Sequence, residues 1–311
     1  MKLLIDVGNT ALKWALVDAA GMPGKACTEV HRGTDDLAAR LASAWQSLSL
    51  RSPALACSVA APDVSSAVEQ AAAACGVAVQ WLAAEAQHTG QVALINGYRT
   101  PTRLGADRWH GMLGACHRRP AQSFVLIAAG TATTIDCVEA GEPFARFIGG
   151  CIAPGKQMML EALAQRTAGL PHARGHAVDF PDNTDDAIAT GVADAQAGLA
   201  ARLIERFARR LGKAPAVLVS GGDAEPVAER LLASGVVLAI EHNLVLAGLA
   251  LRAWSSQSPA STCSGSENQN RLPWPTSLST RSSPPIRRTS SLAMDKPSPA
   301  PPCRWAAVAS D

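Results

Sequence analysis

Two stretches of this chain follow one pattern, and that repeat limits the possible folds more than any other feature. Residues 3–21 read LLIDVGNTALKWALVDAAG and residues 125–141 read VLIAAGTATTIDCVEAG. Each runs from an apolar strand through a glycine turn with small polar residues into a second strand, and closes on an acid, alanine and glycine. A pattern that recurs in both halves predicts a fold made twice.

The flanking residues predict the rest of each unit. In the first half, strands over 3–7 and 11–17 precede a helix over 35–48, whose apolar residues Leu37, Leu41, Ala44, Trp45 and Leu48 share one face. A strand over 54–59, a helix begun by Asp63 as N-cap and ended at Gly76, and a strand over 77–82 follow. A loop-rich segment, INGYRTPTRLGADRWHG, then leads into a helical face of Trp109, Met112, Leu113 and Cys116. The second half has strands over 124–129, 145–152, 216–220 and 236–240. Its helices span 155–166, 185–211, 225–233 and 244–254. Hairpins followed by alternating strands and helices give a mixed-sheet α/β domain, made twice, over 1–118 and 119–254. Two such domains facing each other form a cleft, a favoured position for a ligand.

Residues 255–311 differ. They hold nine of the chain's 20 prolines, many Ser and Thr, and no periodicity. Such a segment buries too little apolar area to offset its ordering entropy, so a disordered tail is expected. Without it, the body carries 22 Lys/Arg against 23 Asp/Glu. A nucleic-acid protein would show a basic face, so no nucleic-acid partner is expected. No apolar run is long enough to cross a membrane, and no signal peptide is expected, since the first residues read as a strand. Eight scattered cysteines without a C-x-x-C pair read as thiols in a reducing cytoplasm.

Several common sites are excluded. GCIAPGK, residues 150–156, has P-loop spacing, but Gln157 stands where Ser or Thr should meet Mg²⁺, and Pro154 lacks a needed N–H. It reads instead as a turn at a strand end. No G-x-G-x-x-G follows the first strand and no G-x-S-x-G occurs. His172 and His176 are four apart, but Pro171 and Gly175 argue for a mobile loop rather than a metal-binding helix.

The first glycine turn suits a phosphate. Gly8 lets backbone N–H groups approach closely, Asn9 and Thr10 add donors, Lys13 adds charge, and Asp6 can hold Mg²⁺ directly or through water. A plain hairpin, with Asp6 and Asn9 satisfying turn N–H groups, is the competing reading. The second turn, Gly130-Thr131, offers another hydroxyl-rich bend, and two such bends across a cleft would hold the β- and γ-phosphates of ATP. Asp107 has two readings, a helix cap beside a solvent-facing Arg108 or a carboxylate that accepts a hydroxyl proton.

Taken together, the two turns resemble the acetate kinase, sugar kinase, heat-shock protein 70 and actin superfamily. With NGYRTPTRLGADRWHG, GTATTID, GGCIAPG and NTDDAIATG, residues 1–254 look like a type III pantothenate kinase. The resemblance implies two actin-like, ribonuclease H-like domains and transfer of phosphate from ATP to pantothenate, the first step toward coenzyme A. It implies that Asp6, Gly8, Asn9, Thr10, Lys13, Gly130 and Thr131 hold the phosphates, with Gly221 and Gly222 near the adenosine. Asp107 would be the general base. Tyr98, Gly105, Ala106, Arg108 and Thr184 would contact pantothenate, whose carboxylate also suits Arg108 and a helix N-terminus. A homodimer with the acceptor pocket near its interface is implied too. One residue departs from the family pattern. Ala128 stands where an aspartate usually accompanies a monovalent cation, K⁺ or NH₄⁺, so that dependence is expected to be weak or differently built. The same family includes proteins first described as accessory factors in transcription, which leaves a non-catalytic, regulatory reading as the alternative.

Overall fold

The computed structural model describes residues 1–255 except 19–20, 22, 33–35 and 171–173. The expected tail from residue 256 on, and His172, lie outside the described residues.

The first sheet is built from β1 (Lys2–Val7), β2 (Ala11–Val17), β3 (Cys27–Val30), β4 (Ala54–Ser58) and β5 (Val79–Trp81). The helices α1 (Leu37–Trp45) and α2 (Pro62–Ala74) lie between its later strands in sequence. Next come β6 (Gln87–His88), β7 (Leu94–Asn96), a 3₁₀ turn at Pro101–Arg103, and α3 (Ala106–Arg118). The second half runs β8 (Phe124–Ala129), β9 (Ala132–Glu139), β10 (Ala145–Pro154), α4 (Lys156–Arg166), α5 (Thr184–Leu211), β11 (Ala216–Ser220), α6 (Ala224–Ala233), β12 (Ala239–Ile240) and α7 (Leu244–Ser255).

Sheet order makes the duplication explicit. The first sheet runs β3-β2-β1-β4-β5, and the second contains β10-β9-β8-β11-β12. In each, the central strand pairs antiparallel with the next strand in sequence and parallel with the strand two further on (β1 with β2 and β4, β8 with β9 and β11). This is the ribonuclease H-like arrangement, present twice. The second sheet has two further strands, β7 and β6, beyond β10. They come from residues 87–96, so the first half of the chain contributes to the second sheet. Two- and three-residue strands carry no readable periodicity; they exist because the edge of β10 offers partners, Leu94 opposite Ala145 and Asn96 opposite Phe147.

Two helix starts differ from expectation. Asp63 does not cap α2: Ala61 is the extended N-cap residue and Pro62 takes the first helical position, where its missing N–H costs nothing. Asp63 sits in the first turn, where an acid complements the helix dipole. At α5 the cap is Asn183, whose side chain accepts from the Asp186 N–H at 2.9 Å, and Gly212 ends the helix with φ +68°. Thr184, one residue before the expected start, is the first residue inside the helix.

Strand alternation builds the layers. On β1, Leu3, Ile5 and Val7 point to a core shared with Leu41, Trp45, Val68 and Ala72 of α1 and α2. Leu4 points the other way, into a core with Leu55 and Cys57 of β4 and Leu246, Leu249, Ala250 and Ala253 of α7. The opposite side of this middle layer, with Trp109, Met112 and Leu113 of α3, packs on Leu126, Val138 and Leu218 of the second sheet. The far face of the second sheet is covered by α5 and α6 through Ala197, Ala200, Phe207, Val227 and Leu231. Helices α3 and α7 therefore separate the two sheets.

Glycines set how closely those two helices approach. A Cβ on Gly248 would overlap the His110 carbonyl, and one on Gly114 the Leu244 carbonyl. Overfilling such a contact costs about 1–3 kcal/mol, against about 1 kcal/mol gained in helix propensity. Gly248→Ala is expected to lower the urea midpoint with unchanged slope; a midpoint that stays or rises would mean the helices have slack.

The same layer buries His110, whose ring Nδ1–H donates to the Ala106 carbonyl at 2.8 Å. Burial pushes its pKa down to about 4, with the charges of Arg252 and His88 adding to the effect. The folded state then resists protonation while the unfolded chain protonates near 6.5. Stability present above that pH is lost as pH falls from about 6.5 toward 4, on the order of 2 kcal/mol by pH 5. Denaturant melts at pH 7 and pH 5 should show this loss, and His110→Gln should flatten it.

Candidate active site

Period-two alternation on β1 sends Asp6 to the same face as Leu4, toward α3 and α7. Register aligns three side chains in a row across the sheet, Lys13 on β2, Asp6 on β1 and Cys57 on β4. The Cys57 thiol lies 3.8 Å from Asp6 Oδ1. Burial, then the negative charge of Asp107, pushes the Asp6 carboxyl up to about 7, while Lys13 and Cys57 pull it back. Two carboxyls thus share this region with one lysine, an arrangement that favours an added cation.

The first turn is closed by Gly8 N–H donating to the Ala11 carbonyl at 3.1 Å. It is braced from outside. His31 donates through Nε2 to the Gly8 carbonyl at 2.9 Å, and the N–H groups of His31 and Arg32 both reach the Thr10 carbonyl. Asn9 is exposed at the tip. The second turn is closed by Gly130 N–H to the Ala132 carbonyl at 3.2 Å. It is held by Gly155, whose N–H donates to the Thr131 carbonyl at 3.0 Å and whose missing side chain leaves room for Gly130 and Thr131. The P-loop look-alike is therefore the end of β10 turning through Gly155 into α4, packed on the second turn. Gly221 leaves β11 at φ +106° against the Ala129 backbone, and Asp223 N–H donates to the Ala129 carbonyl at 3.1 Å.

The two turns meet. Thr10 Oγ1 and Thr131 Oγ1 are 2.9 Å apart, a hydrogen bond between residues 121 positions apart in the chain. Gly8 and Gly130 therefore converge on one place, each presenting the N–H-rich bend that suits a phosphate.

Asp107 is the second residue of α3, and Gly105 is the N-cap. Its Oδ1 accepts from the Arg108 N–H at 2.7 Å. Burial raises its pKa, although the Arg108 bond and charge oppose the rise. Gly105 leaves space for this carboxylate, since a Cβ there would come within 2.6 Å of Asp107 Oδ1. Ala106 completes the tight start of the helix.

Arg108 does not face solvent; it is 6% exposed. Its Nε donates to both Asp136 oxygens at 3.2 Å, its Nη2 to Asp136 Oδ1 at 2.5 Å, and its Nη1 to the Tyr98 hydroxyl at 2.8 Å. The guanidinium also lies over the rings of Tyr98 and Phe147. Arg108 therefore has a carboxylate partner within the chain. Thr184 stands apart: it is exposed at the start of α5, and no hydrogen bond among the described residues ties it to this cluster.

Sequence reasoning passed over three residues here. Asp136 is a lone acid between the buried Ile135 and Cys137 in an apolar strand, which was the available signal. Cys57 and His31 carry no local signal, because their roles exist only through pairing with β1 and the first turn.

The residues present fit Mg²⁺. Among the described residues no group of three or more His, Cys, Asp or Glu side chains is placed to hold a metal. A half-buried carboxylate, Asp6, beside a glycine turn is enough for Mg²⁺ when substrate oxygens and water complete its shell.

A family model described as Type III pantothenate kinase matches residues 2–206. A protein of that name from Paracidovorax citrulli is 40% identical over 225 residues, covering 71% of this chain and 86% of that protein. Its namesake from Laribacter hongkongensis is 39% identical over 250 residues, covering 80% and 97%. One from Verminephrobacter eiseniae is 38% identical over 251 residues, covering 79% and 94%.

Proposed function

The chain belongs to the type III pantothenate kinase family, and from that premise we propose that its reaction runs in the cleft where the Gly8 and Gly130 turns meet. That reaction is transfer of the γ-phosphoryl group of ATP to the 4′-hydroxyl of pantothenate, the step that opens coenzyme A synthesis. The observation that carries the assignment is the 2.9 Å contact between Thr10 and Thr131, next to two mutually repelling carboxyls.

Phosphoryl transfer asks the protein mostly for positioning and charge neutralisation. The N–H groups and hydroxyls of Gly8, Asn9, Thr10, Gly130 and Thr131 orient the β- and γ-phosphates, and Lys13 adds charge. Gly221 and Gly222 lie toward the adenosine. Asp6 holds Mg²⁺ directly or through water, and the ion supplies further charge neutralisation. Asp107 accepts the proton of the attacking hydroxyl; its raised pKa makes it a better base than an exposed aspartate. Gly105, Ala106, Tyr98 and Arg108 form the acceptor side. Thr184 would join them from a homodimer partner or on closure. We place the enzyme in the cytoplasm, a reading that its scattered free cysteines support.

Register supports a weak need for K⁺ or NH₄⁺. The row Lys13–Asp6–Cys57 in the first sheet corresponds to Thr134–Ala128–Ser220 in the second. That row has hydroxyls and no carboxylate, and the buried Thr134 hydroxyl has no hydrogen-bond partner. Steady-state ADP release should require both ATP and pantothenate. It should change little when K⁺ is replaced by a non-coordinating cation. Absent turnover would refute the kinase assignment, and a steep loss without K⁺ the cation reading alone.

A further inference from the structure

Asp136 lies on the face of β9 that carries Val138, toward α3, and is 1% exposed. Arginine has five N–H donors and no acceptor. In the 2.8 Å contact between Arg108 Nη1 and the Tyr98 hydroxyl, the arginine must therefore donate and the phenol oxygen must accept. The phenol's own proton is left over, and nothing among the described residues accepts it. The ring cannot turn to seek another partner easily, since it packs at 5.4 Å on Phe147 and under the guanidinium at 5.5 Å. Arg108 is itself locked by its two-point contact with Asp136. Gly150 keeps that contact open, because a Cβ there would press on Asp136 Oδ1 and come within 3.1 Å of Arg108 Nη2.

We propose that Asp136 is a positioning residue for the acceptor site. Through Arg108 it holds the Tyr98 hydroxyl as a hydrogen-bond donor that selects an oxygen acceptor, a carboxylate or amide carbonyl, on the molecule to be phosphorylated. Asp136 neutralises Arg108, so the selection comes from the oriented hydroxyl and not from a free cation. This inference rests on the acceptor-site reading above and adds to it a residue and a direction for the proton.

The test is a double-mutant cycle on Asp136→Asn and Tyr98→Phe, read as KM for pantothenate and KM for ATP. Losing one such hydrogen bond raises KM about tenfold. Each single variant should raise KM for pantothenate by that amount and leave KM for ATP unchanged. The double variant should be no worse than either single one, since both remove the same contact. Additive losses, or an Asp136→Asn enzyme reduced only in folded yield, would overturn the proposal. Where circular dichroism shows Asp136→Asn unfolded, Arg108→Lys takes its place, keeping the charge and losing the fork, and is read the same way. Wild-type protein without pantothenate-dependent ADP release would remove the acceptor-site reading itself and this inference with it. Active wild type with additive variants removes the inference alone.

Discussion

Asp107→Asn should lower turnover by about 10²-fold or more, the scale of a lost general base, with little change in ATP binding. The substitution is close to isosteric. An amide oxygen can still accept the Arg108 N–H that Asp107 Oδ1 accepts at 2.7 Å, so the start of α3 should survive. What disappears is the capacity to take a proton from the acceptor hydroxyl. A second consequence separates this from a packing defect. The charge of Asp107 helps to hold the Asp6 carboxyl up near 7. Without it Asp6 ionises more readily, so affinity for Mg²⁺ and an ATP analogue should hold or rise while kcat falls. Steady-state kinetics with calorimetric titration of the analogue reads both; unchanged turnover would exclude Asp107 as the base.

Gly221→Ala should damage both stability and nucleotide binding. Gly221 sits at φ +106°, outside the region open to residues with a Cβ, at a cost of order 1–3 kcal/mol. The new methyl would also overlap the Ala129 backbone. Ala129 cannot retreat freely, because its carbonyl receives the Asp223 N–H and its neighbour Gly130 forms the second glycine turn. The two costs together should exceed about 3 kcal/mol. They should appear as a lower urea midpoint and a KM for ATP raised more than that for pantothenate. A variant with wild-type melting and wild-type KM for ATP would show that this turn does not shape the nucleotide site.

Much of this site was legible in local signals. The strands at Phe124–Ala129 and Ala216–Ser220 match their expected bounds, since continuous apolar runs with sharp ends mark buried central strands. The glycine turns were legible because turn chemistry is local. Strands β6 and β7 were not, being too short to show a period and dependent on an edge that the rest of the sheet creates. Asp107 stands out in the sequence as a candidate base, whereas Arg108 reads as facing solvent or substrate; its partner lies 28 residues away on β9.

Residue order by itself determined the repeated hairpin, the alternation that turns Asp6 away from Leu3 and Ile5, and the two glycine bends. Each follows from interactions within a few residues, such as pleat period, φ freedom and side-chain size. Only tertiary structure decided that Thr10 meets Thr131, that Asp6 feels Asp107, and that Asp136 holds Arg108. Those contacts depend on how two sheets stack across α3 and α7, and that stacking depends on apolar burial summed over the whole middle layer, which no single segment encodes.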